Sequence, residues 1–293
     1  MTVKKTAERV KKELSAAGFE TAQRESRFLV EGICRLTRGG MFLHSDMLLT
    51  DAEQMQIEEA LQKRLAGWPL QYLIGEWDFY GYPVFVGEGV LIPRPETELL
   101  VREALVVLSN KKKREAVVAD LCSGSGCIAV AIARECRSAR VTAVERYDEA
   151  YGYLERNIER NGTQNILPLK ADVLGPLSQS LASTFDIIVC NPPYIKTEDM
   201  KNLSREVRFE PSEALDGRRD GLHFYREITK RWKTCLVPKG VILYEIGFDQ
   251  GAEVAQILTD NGFEQVEIKQ DYNGLDRIVS GVLSSVPDIG QQV

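Results

Sequence analysis

The chain is poor in the residues and spacings that most often hold metal ions. Only two of its 293 residues are histidines, His44 and His223. Six cysteines are present, but they form no Cys-x-x-Cys pair and no zinc-like spacing with either histidine: Cys34, Cys122, Cys127, Cys136, Cys190 and Cys235. Because several of them stand in apolar, strand-like runs, we predict reduced, buried thiols, a cytoplasmic protein and no metal site.

Long apolar runs and a basic excess are also missing. No apolar run is long enough to cross a bilayer, so we expect no membrane association. The start, MTVKKTAERVKKEL, is charged but has no apolar h-region, which argues against a signal peptide. The 43 acidic residues outnumber the 37 Lys and Arg residues, for a net charge of −6. A protein held mainly by nucleic-acid phosphates would normally be basic, so we expect no DNA partner, although a local basic patch remains compatible with this composition.

The first 72 residues carry the periodicity of amphipathic helices. The segment 22–36 repeats a spacing of three and four residues that is already visible near the start, at Val3, Ala7, Val10, Leu14 and Ala17. We predict a small all-helical N-terminal domain over residues 1–72. Such a bundle is often an arm that grips a partner, and the alternative is a structural cap. The helices alone leave both open.

Three local signals set the expected boundaries of these helices. The stretch GGMFLHSD, residues 39–46, predicts a break. Thr50 and Glu53 then form a capping-box pattern at the start of a further helix. Pro69 is expected to end that helix, because proline cannot continue one.

The pattern changes after residue 72. Aromatic and β-branched residues alternate with glycine over residues 73–98, which predicts a linking hairpin that runs into PRPETE. Strand and helix patterns then alternate over residues 99–285, as is typical of an α/β protein with a doubly wound, mostly parallel sheet. We expect the tail, 284–293, to be frayed. The predicted strands are 116–122, 140–145, 166–172, 185–191, 240–247, 263–271 and 276–283, and the last two should form an antiparallel edge hairpin.

A loop of small residues follows the first strand of this sheet and precedes a helix. Its glycines let the backbone approach a ligand where a side chain would block it. The next strand ends in Glu145, at roughly the distance where an acidic residue takes ribose hydroxyls. The pattern predicts an adenosine-containing ligand and leaves NAD(H) and S-adenosyl-L-methionine open; a tight turn with a surface glutamate is the plainer alternative. The loop residues are Cys122, Ser123, Gly124, Ser125 and Gly126.

A third polar position follows the third strand, in the sequence KAD. Asp172 could accept a hydrogen bond from the exocyclic amine of adenine. It could equally be the N-cap of the next helix. Spacing alone does not separate these two hypotheses.

The fourth strand runs directly into Asn191-Pro192-Pro193-Tyr194. An –NH2 group has two hydrogens to donate, and the Asn191 side-chain oxygen and the Pro192 carbonyl oxygen are two acceptors. The prolines fix φ and remove competing N–H donors, while Tyr194 offers a flat face to a planar amide or base. The motif therefore indicates action on a planar –NH2 group and leaves amide and base open. A proline-rich turn with a capping asparagine is the plainer alternative.

These motifs resemble those of the class I S-adenosylmethionine-dependent methyltransferases. Within that class the chain resembles the HemK/PrmC family of release-factor glutamine methyltransferases. The resemblance extends over nearly the whole chain and includes PLQYLIGEWDFYG, LIPRPETE, DLCSGSGCIA, NPPY, EVRFEP, GLHFYREI and DYNGLDRIV. It implies the class I methyltransferase fold with a helical N-terminal domain, and a protein glutamine as the group that is methylated.

The resemblance also implies the site. Asn191, Pro192, Pro193 and Tyr194 would be catalytic and hold the glutamine amide, and the segment Pro93 to Glu98 would cover the cofactor. The N-terminal helices would help to hold a peptide chain release factor, whose Gly-Gly-Gln loop enters the site. We expect a monomer. The implied cofactor-binding residues are Cys122, Ser123, Gly124, Ser125, Gly126, Glu145, Asp172, Val173 and Asn191.

Three positions depart from the family pattern. Cys122 stands where glycine is usual, so a positive φ there would be strained. Glu145 replaces a commoner aspartate and reaches one methylene further. Val173 stands where some members carry an aromatic residue, so stacking on adenine would be weaker or come from elsewhere.

The implied reaction is direct methyl transfer from S-adenosyl-L-methionine to the amide nitrogen, with S-adenosyl-L-homocysteine as the product. Positioning and desolvation would supply most of the rate, without a metal or a covalent enzyme intermediate. The rival hypotheses are a glutamine methyltransferase for a ribosomal protein, an adenine-N6 nucleic-acid methyltransferase, and a cofactor-binding interaction protein that has lost catalysis.

Overall fold

A computed structural model describes residues 1–110 and 115–284, with the backbone alone for Arg38. The chain divides into two compact units. The first, the helical unit, contains Met1–Trp77, Phe85–Glu88 and Ser204–Glu210, and the second, the sheet unit, contains the other described residues. The domain limits predicted above stay a prediction, and the predicted fraying of the tail lies beyond the described residues except for Ser284.

The helical unit is built around one apolar core. The buried side chains recur along each helix at the spacing of one face, as at Val3, Val10 and Leu14. Leu29 and Leu61, from two further helices, are buried in the same cluster. The helices are α1 (Val3–Ala16), α2 (Ala22–Ile33), α3 (Arg38–Leu43), α4 (Asp51–Leu65) and α5 (Leu70–Ile74).

Local side-chain chemistry sets the ends of these helices. The capping box is confirmed: Thr50 accepts a hydrogen bond from the Glu53 N–H, and the Glu53 carboxylate accepts one from the Thr50 N–H at 2.8 Å. The predicted break over residues 39–46 is wrong in part, because α3 occupies most of it. The Thr37 hydroxyl accepts from the Gly40 N–H at 3.0 Å and so caps this short helix.

Pro69 acts differently from the prediction. α4 ends at Leu65, and Gly67 follows in the left-handed region with φ of +97°. Pro69 is instead the residue that precedes α5. A helix can begin after proline because the first helical N–H groups have no partner in the helix, whereas an interior proline would break it.

A buried ion pair links two helices of the helical unit. The Arg64 guanidinium donates two hydrogen bonds to Glu25, at 2.6 and 3.0 Å, and a third to Glu206 at 2.7 Å. The Arg64 side chain is 3% exposed and that of Glu25 is 10% exposed. Burial disfavours the Glu25 carboxylate, but hydrogen bonds from Arg64 and Thr21 outweigh it and lower the pKa of Glu25.

We predict that Glu25→Ala destabilises the helical unit by about 3 kcal/mol, because Arg64 would keep a buried charge with only part of its compensation. Urea unfolding followed by far-UV circular dichroism measures the loss. The matched control is Glu59→Ala, which removes an exposed partner of Lys63 on the same helix. The control should leave the unfolding midpoint nearly unchanged. An equal loss of unfolding free energy in Glu25→Ala and Glu59→Ala would contradict the prediction that the buried ion pair contributes more than the exposed one.

A seven-stranded sheet organises the sheet unit within the described residues. Its strand order is β5-β4-β3-β6-β7-β9-β8, with parallel pairing from β5 to β7 and antiparallel pairing of β7 with β9 and of β9 with β8. This confirms the predicted fold class. The strands are β3 (Val117–Leu121), β4 (Arg140–Glu145), β5 (Ile166–Lys170), β6 (Phe185–Cys190), β7 (Leu236–Glu245), β8 (Phe263–Gln270) and β9 (Asp276–Leu283), and the linking hairpin is β1 (Glu76–Phe79) with β2 (Tyr82–Phe85).

Burial explains why the central strands read as unbroken apolar runs. All six residues of β6 are buried, and so are the last four of β3. A parallel strand covered on both faces has no solvent side, so it lacks polar alternation. Helices supply the cover, with α6 next to α7, α7 next to α8, and α9 next to α10. These helices are α6 (Glu98–Asn110), α7 (Cys127–Glu135), α8 (Asp148–Asn161), α9 (His223–Trp232) and α10 (Gly251–Asp260).

The order of the strands creates one crevice. From β3 the chain adds β4 and β5 on one side, then crosses back to place β6 on the other side of β3. Loops that leave β3 and β6 therefore diverge at their carboxyl ends, and such a switch point is where open α/β sheets bind ligands. The glycine loop follows β3 and the Asn191 turn follows β6, so the topology brings the two predicted motifs to one place.

Two sequence expectations change in detail. β7 begins at Leu236, four residues before the predicted start, because Leu236 pairs with Phe185 ahead of a bulge. The cysteines are free thiols, but Cys34, Cys122 and Cys136 are half-buried rather than buried. Among the described residues, no helix combines the length and apolar character needed to cross a membrane, and no group of three or more His, Cys, Asp or Glu side chains is placed to hold a metal ion.

Candidate functional site at the switch point of the sheet

A cavity of about 280 Å³ lies at the carboxyl ends of β3, β4 and β6. Small-molecule pockets typically span roughly 300–1,000 Å³, so this one has the size of a compact ligand site. Its lining includes four of the five loop residues, Cys122 to Ser125, together with Glu145, Asp172 and Val173. Asn191 and Pro193 form another part of the wall. Gly126 is not in the lining.

The glycine loop is a tight turn held by its own backbone. The Ser123 N–H donates to the Val144 carbonyl at 3.0 Å, and the Gly126 N–H donates to the Ser123 carbonyl at 2.7 Å. Three of its residues have positive φ, with Cys122 at 57°, Gly124 at 55° and Gly126 at 77°. The strain expected for Cys122 is therefore present, because a side chain there crowds the neighbouring carbonyl.

Glu145 ties the second strand to this loop. One carboxylate oxygen accepts from the Gly124 N–H at 2.8 Å, and the other accepts from the Arg146 and Tyr147 N–H groups at 2.7 and 2.9 Å. Each carboxylate oxygen can accept two hydrogen bonds, so the one on Gly124 keeps one acceptor position for a ligand. Only 6% of Glu145 is exposed, so this orientation is held rigidly.

Asp172 lies in the cavity wall with both oxygens engaged. Oδ1 accepts from the Leu174 N–H at 2.9 Å, and Oδ2 pairs with the Arg146 guanidinium at 2.8 Å. The hypothesis that Asp172 is the N-cap of a helix is wrong, because the residues after it form a turn and not a helix. Val173 is buried in the lining and its carbonyl accepts from the Trp232 indole N–H.

The Asn191 turn presents only part of its motif to the cavity. Asn191 and Pro193 are lining residues, whereas Pro192 and Tyr194 are not. The Tyr194 ring packs against the core of the sheet unit, and burial raises its pKa to about 12. The Asn191 amide donates to the Thr97 hydroxyl at 3.4 Å, so the PRPETE segment contacts this turn directly.

The PRPETE segment contributes to the wall through three of its six residues. Pro93, Arg94 and Thr97 line the cavity. Glu98 points elsewhere, since its carboxylate accepts from the Tyr80 N–H at 3.0 Å. The segment is thus part of the cavity and part of the anchor for the linking hairpin.

Sequence reasoning missed the residues that clamp the Asn191 turn. A side chain at Gly217 would come within 2.6 Å of the Tyr194 Cα, so only glycine fits against this turn. The Gln250 amide donates to the Tyr194 carbonyl at 3.0 Å and to the Gly221 carbonyl at 3.4 Å. Glycines between two strands were the only sequence signal for this contact.

Two buried acids were also missed. Asp120 is wholly buried within β3 and accepts from the Ala129 N–H at 3.2 Å, near the start of α7. Glu245, the last residue of β7, is 1% exposed. Burial raises the pKa of each to about 7. A charged residue inside an apolar strand was the signal that could have identified both.

The charges of the cavity favour a cationic ligand over a pyrophosphate. Four carboxylates line it, from Glu145, Glu149, Asp172 and Glu213, against three arginines. Two of those arginines already pair with acids, Arg146 with Asp172 and Arg218 with Asp216. The loop N–H groups of Ser123, Gly124 and Gly126 are bonded within the protein, so they do not form a cradle for phosphate.

Comparisons with known proteins agree with this geometry. A family model described as PrmC N-terminal domain matches residues 7–75, and one described as Conserved hypothetical protein 95 matches residues 89–220. The release factor glutamine methyltransferase of Thermodesulfovibrio yellowstonii is 38% identical over 79% of this chain and 82% of its own length. That of Geobacter sulfurreducens is 37% identical over 96% of each chain. A solved methyltransferase from Pyrococcus furiosus has a TM-score of 0.50 at 16% identity, covering 80% of this chain and 100% of its own.

A sheet of this order, with a glycine loop and an Asn-Pro-Pro-Tyr turn at its switch point, defines a class I methyltransferase. The identity to the Geobacter sulfurreducens protein extends over nearly the full length of both chains, and that to the Thermodesulfovibrio yellowstonii protein over about four-fifths. The protein belongs to the release factor glutamine methyltransferase family.

We predict that Asp120→Asn changes how stability depends on pH. A carboxyl with a raised pKa in the folded state stabilises the fold below its unfolded pKa, and this contribution is lost as pH rises towards about 7. From pH 5 to pH 7.5 the unfolding free energy of the variant should gain on the order of 2 kcal/mol relative to wild type. Urea unfolding at both pH values measures it, with the exposed Asp199→Asn as control. A difference between Asp120→Asn and wild type that does not vary with pH would contradict the prediction.

Proposed function

We propose that the protein methylates the side-chain amide nitrogen of the glutamine in the Gly-Gly-Gln motif of peptide chain release factors, using S-adenosyl-L-methionine. The observation that carries the proposal is the shared cavity. It places the glycine loop with Glu145 on one side and Asn191 with Pro193 on another, in a chain whose curated relatives are release factor glutamine methyltransferases.

The residues present fit S-adenosyl-L-methionine, which supplies an electrophilic methyl group on a cationic sulfonium. Gly124 leaves open space, since a Cβ there would meet only Val90, at 4.0 Å. Glu145 has acceptor capacity for ribose hydroxyls. Asp172 and Val173 line the same cavity, which supports the proposal that they contact the adenine, and the acidic excess of the lining suits the cation.

The Asn191 turn would hold the glutamine amide. The Asn191 nitrogen is directed at Thr97, which leaves its oxygen as one acceptor for the substrate –NH2. The Pro192 carbonyl stays the predicted second acceptor, although Pro192 is not among the lining residues. Holding both hydrogens would orient the nitrogen for in-line attack on the methyl carbon. The new N–C bond would form as the C–S bond breaks, S-adenosyl-L-homocysteine would leave, and the nitrogen would release one of its protons to water. The stacking role of Tyr194 stays a prediction, because its ring packs against the core instead of lining the cavity.

Recognition of the release factor is assigned to the helical unit. The PrmC N-terminal domain model matches nearly all of its helices. We propose that these helices contact the release factor, and that the enzyme acts as a cytoplasmic monomer. Neither a membrane nor DNA is part of the proposed activity.

The experiment that tests the function is parallel incubation of the protein and labelled S-adenosyl-L-methionine with release factors, ribosomal proteins and DNA. Mass mapping then identifies the labelled residue. Label on the Gly-Gly-Gln glutamine of a release factor is the expected result. Label confined to a ribosomal protein or to adenine would replace the proposal with one of the rival hypotheses, and binding without transfer would indicate an inactive cofactor-binding protein.

We predict that Gly124→Ala weakens S-adenosyl-L-methionine binding by about tenfold, or ~1.4 kcal/mol, because its methyl group would enter the cavity. Calorimetric titration measures the dissociation constant. Gly162→Ala is the matched control, since Gly162 has a similar φ of +61° and no atom near its added Cβ, but lies outside the cavity lining. Similar losses of affinity in both variants would trace the effect to backbone strain and remove Gly124 from the site.

We predict that Asn191→Ala lowers turnover by about 100- to 1,000-fold, the usual cost of removing one positioned hydrogen-bonding group from an active site. Steady-state methylation of a release factor measures the change, and circular dichroism confirms folding. The exposed Asn202→Ala serves as control. Near-normal turnover of Asn191→Ala would exclude the assigned role.

A further inference from the structure

Glu245 lies beside Asn191 because of the register of two parallel strands. Cys190 of β6 is opposite Tyr244 of β7. Asn191 directly follows β6 and Glu245 is the last residue of β7, so the two leave the sheet as neighbours. Glu245 is 1% exposed and is not a lining residue of the cavity. It can therefore act on the cavity only through another side chain.

Thr97 is that side chain. It belongs to the PRPETE segment, is 2% exposed and lines the cavity. Its oxygen accepts from the Asn191 amide nitrogen at 3.4 Å. Burial raises the pKa of Glu245, and the Thr97 hydroxyl is the neighbouring donor that opposes this effect. No described residue partners the second oxygen of Glu245, Oε2. Among the described residues, Thr97 therefore connects the buried acid with the asparagine.

The chemistry of the three groups fixes the direction of these hydrogen bonds. An ionised carboxylate only accepts, and a threonine hydroxyl has a single proton to donate. That proton is committed to Glu245, so the Thr97 oxygen faces Asn191 with a lone pair. A lone pair attracts the Asn191 –NH2 and repels its carbonyl oxygen. The amide is therefore held with its oxygen towards the cavity, where an acceptor is needed.

We propose that Glu245 is a positioning residue, which acts through Thr97 to orient the Asn191 amide so that its oxygen accepts the substrate –NH2. The inference rests on the proposed function, because it assigns a purpose to that orientation. A protonated, neutral Glu245 would no longer attract the hydroxyl proton of Thr97, and the hydroxyl could rotate to direct this proton at Asn191. The Asn191 amide would then flip and place its –NH2 in the cavity. There it would meet the substrate –NH2, which is also a donor, so no hydrogen bond could form.

The proposal predicts an acidic limb in the pH profile of turnover. Burial raises the pKa of Glu245 to about 7, so the orienting charge should disappear as pH falls through this value. Arg94 and Arg277 favour the ionised form and Glu96 opposes it. The other titratable groups in electrostatic contact with Glu245 are Tyr194, Tyr225, Cys127 and Cys190.

The test compares Glu245→Gln, Thr97→Val and the double variant in the full-length protein. Each single variant should lower kcat on a release factor by about tenfold or more, since misorienting one positioned group has an effect of this size. The dissociation constant for S-adenosyl-L-methionine should change less than about twofold, or ~0.4 kcal/mol. The double variant should be no slower than the slower single variant, because both substitutions break one relay.

Two further variants separate orientation from packing. Thr97→Ser keeps the hydroxyl and should restore most of the turnover that Thr97→Val loses. Glu264→Gln, an exposed acid on β8, should keep both wild-type kcat and the acidic limb. Glu245→Gln should instead lose the limb, because no charge remains to titrate.

The outcomes are distinguishable. A wild-type protein that methylates no release factor overturns the proposed function and this inference with it. An active wild type whose Glu245→Gln variant keeps wild-type kcat and the same acidic limb overturns the inference alone. Equal loss in Thr97→Ser and Thr97→Val also overturns it, because packing of the threonine methyl would then account for the effect.

Discussion

The parallel register of β3, β6 and β7 is the constraint on which the candidate site depends. Leu121 lies opposite Cys190, and Cys190 lies opposite Tyr244. The three strands therefore end at one level, and the residues that follow them meet at one edge. Segments roughly 50 to 70 residues apart in sequence become neighbours by this geometry alone. A shift of one residue in any pair would turn the side chains to the opposite face and remove the cavity lining.

Burial of charge is the cost of this arrangement. Asp120 and Glu245 are withdrawn from water at the ends of two central strands, and burial raises the pKa of each to about 7. Hydrogen bonds to the Ala129 N–H and to Thr97 compensate only in part, since each acid keeps one oxygen without a partner among the described residues. The buried charges of Arg64 and Glu25 are compensated differently, because the two side chains form hydrogen bonds with each other. Acids left partly unsatisfied beside a cavity are typical of a functional site.

Much of the architecture follows from patterns of local chemistry. The capping box at Thr50, the seven strands and the antiparallel edge pair could be predicted because period and turn residues act over a few positions. The misplaced details have local causes too. The 39–46 segment contains α3 because Thr37 caps it, and Pro69 begins α5 because Gly67 has already ended α4. The residues that surround the site were harder to identify, because their partners are distant in sequence: Asp120, Thr97, Gly217 and Gln250.

The sequence by itself determined the fold class, the glycine loop, the Asn-Pro-Pro-Tyr turn and the family resemblance, because each depends on neighbouring residues and their spacing. Tertiary structure alone decided which members of those motifs face the cavity. It turned Asn191 and Pro193 inward and placed the Tyr194 ring against the core. It also set Glu245 and Thr97 behind Asn191. The physical reason is that the direction of a side chain and the partner of a buried charge depend on packing between strands, which no local pattern encodes.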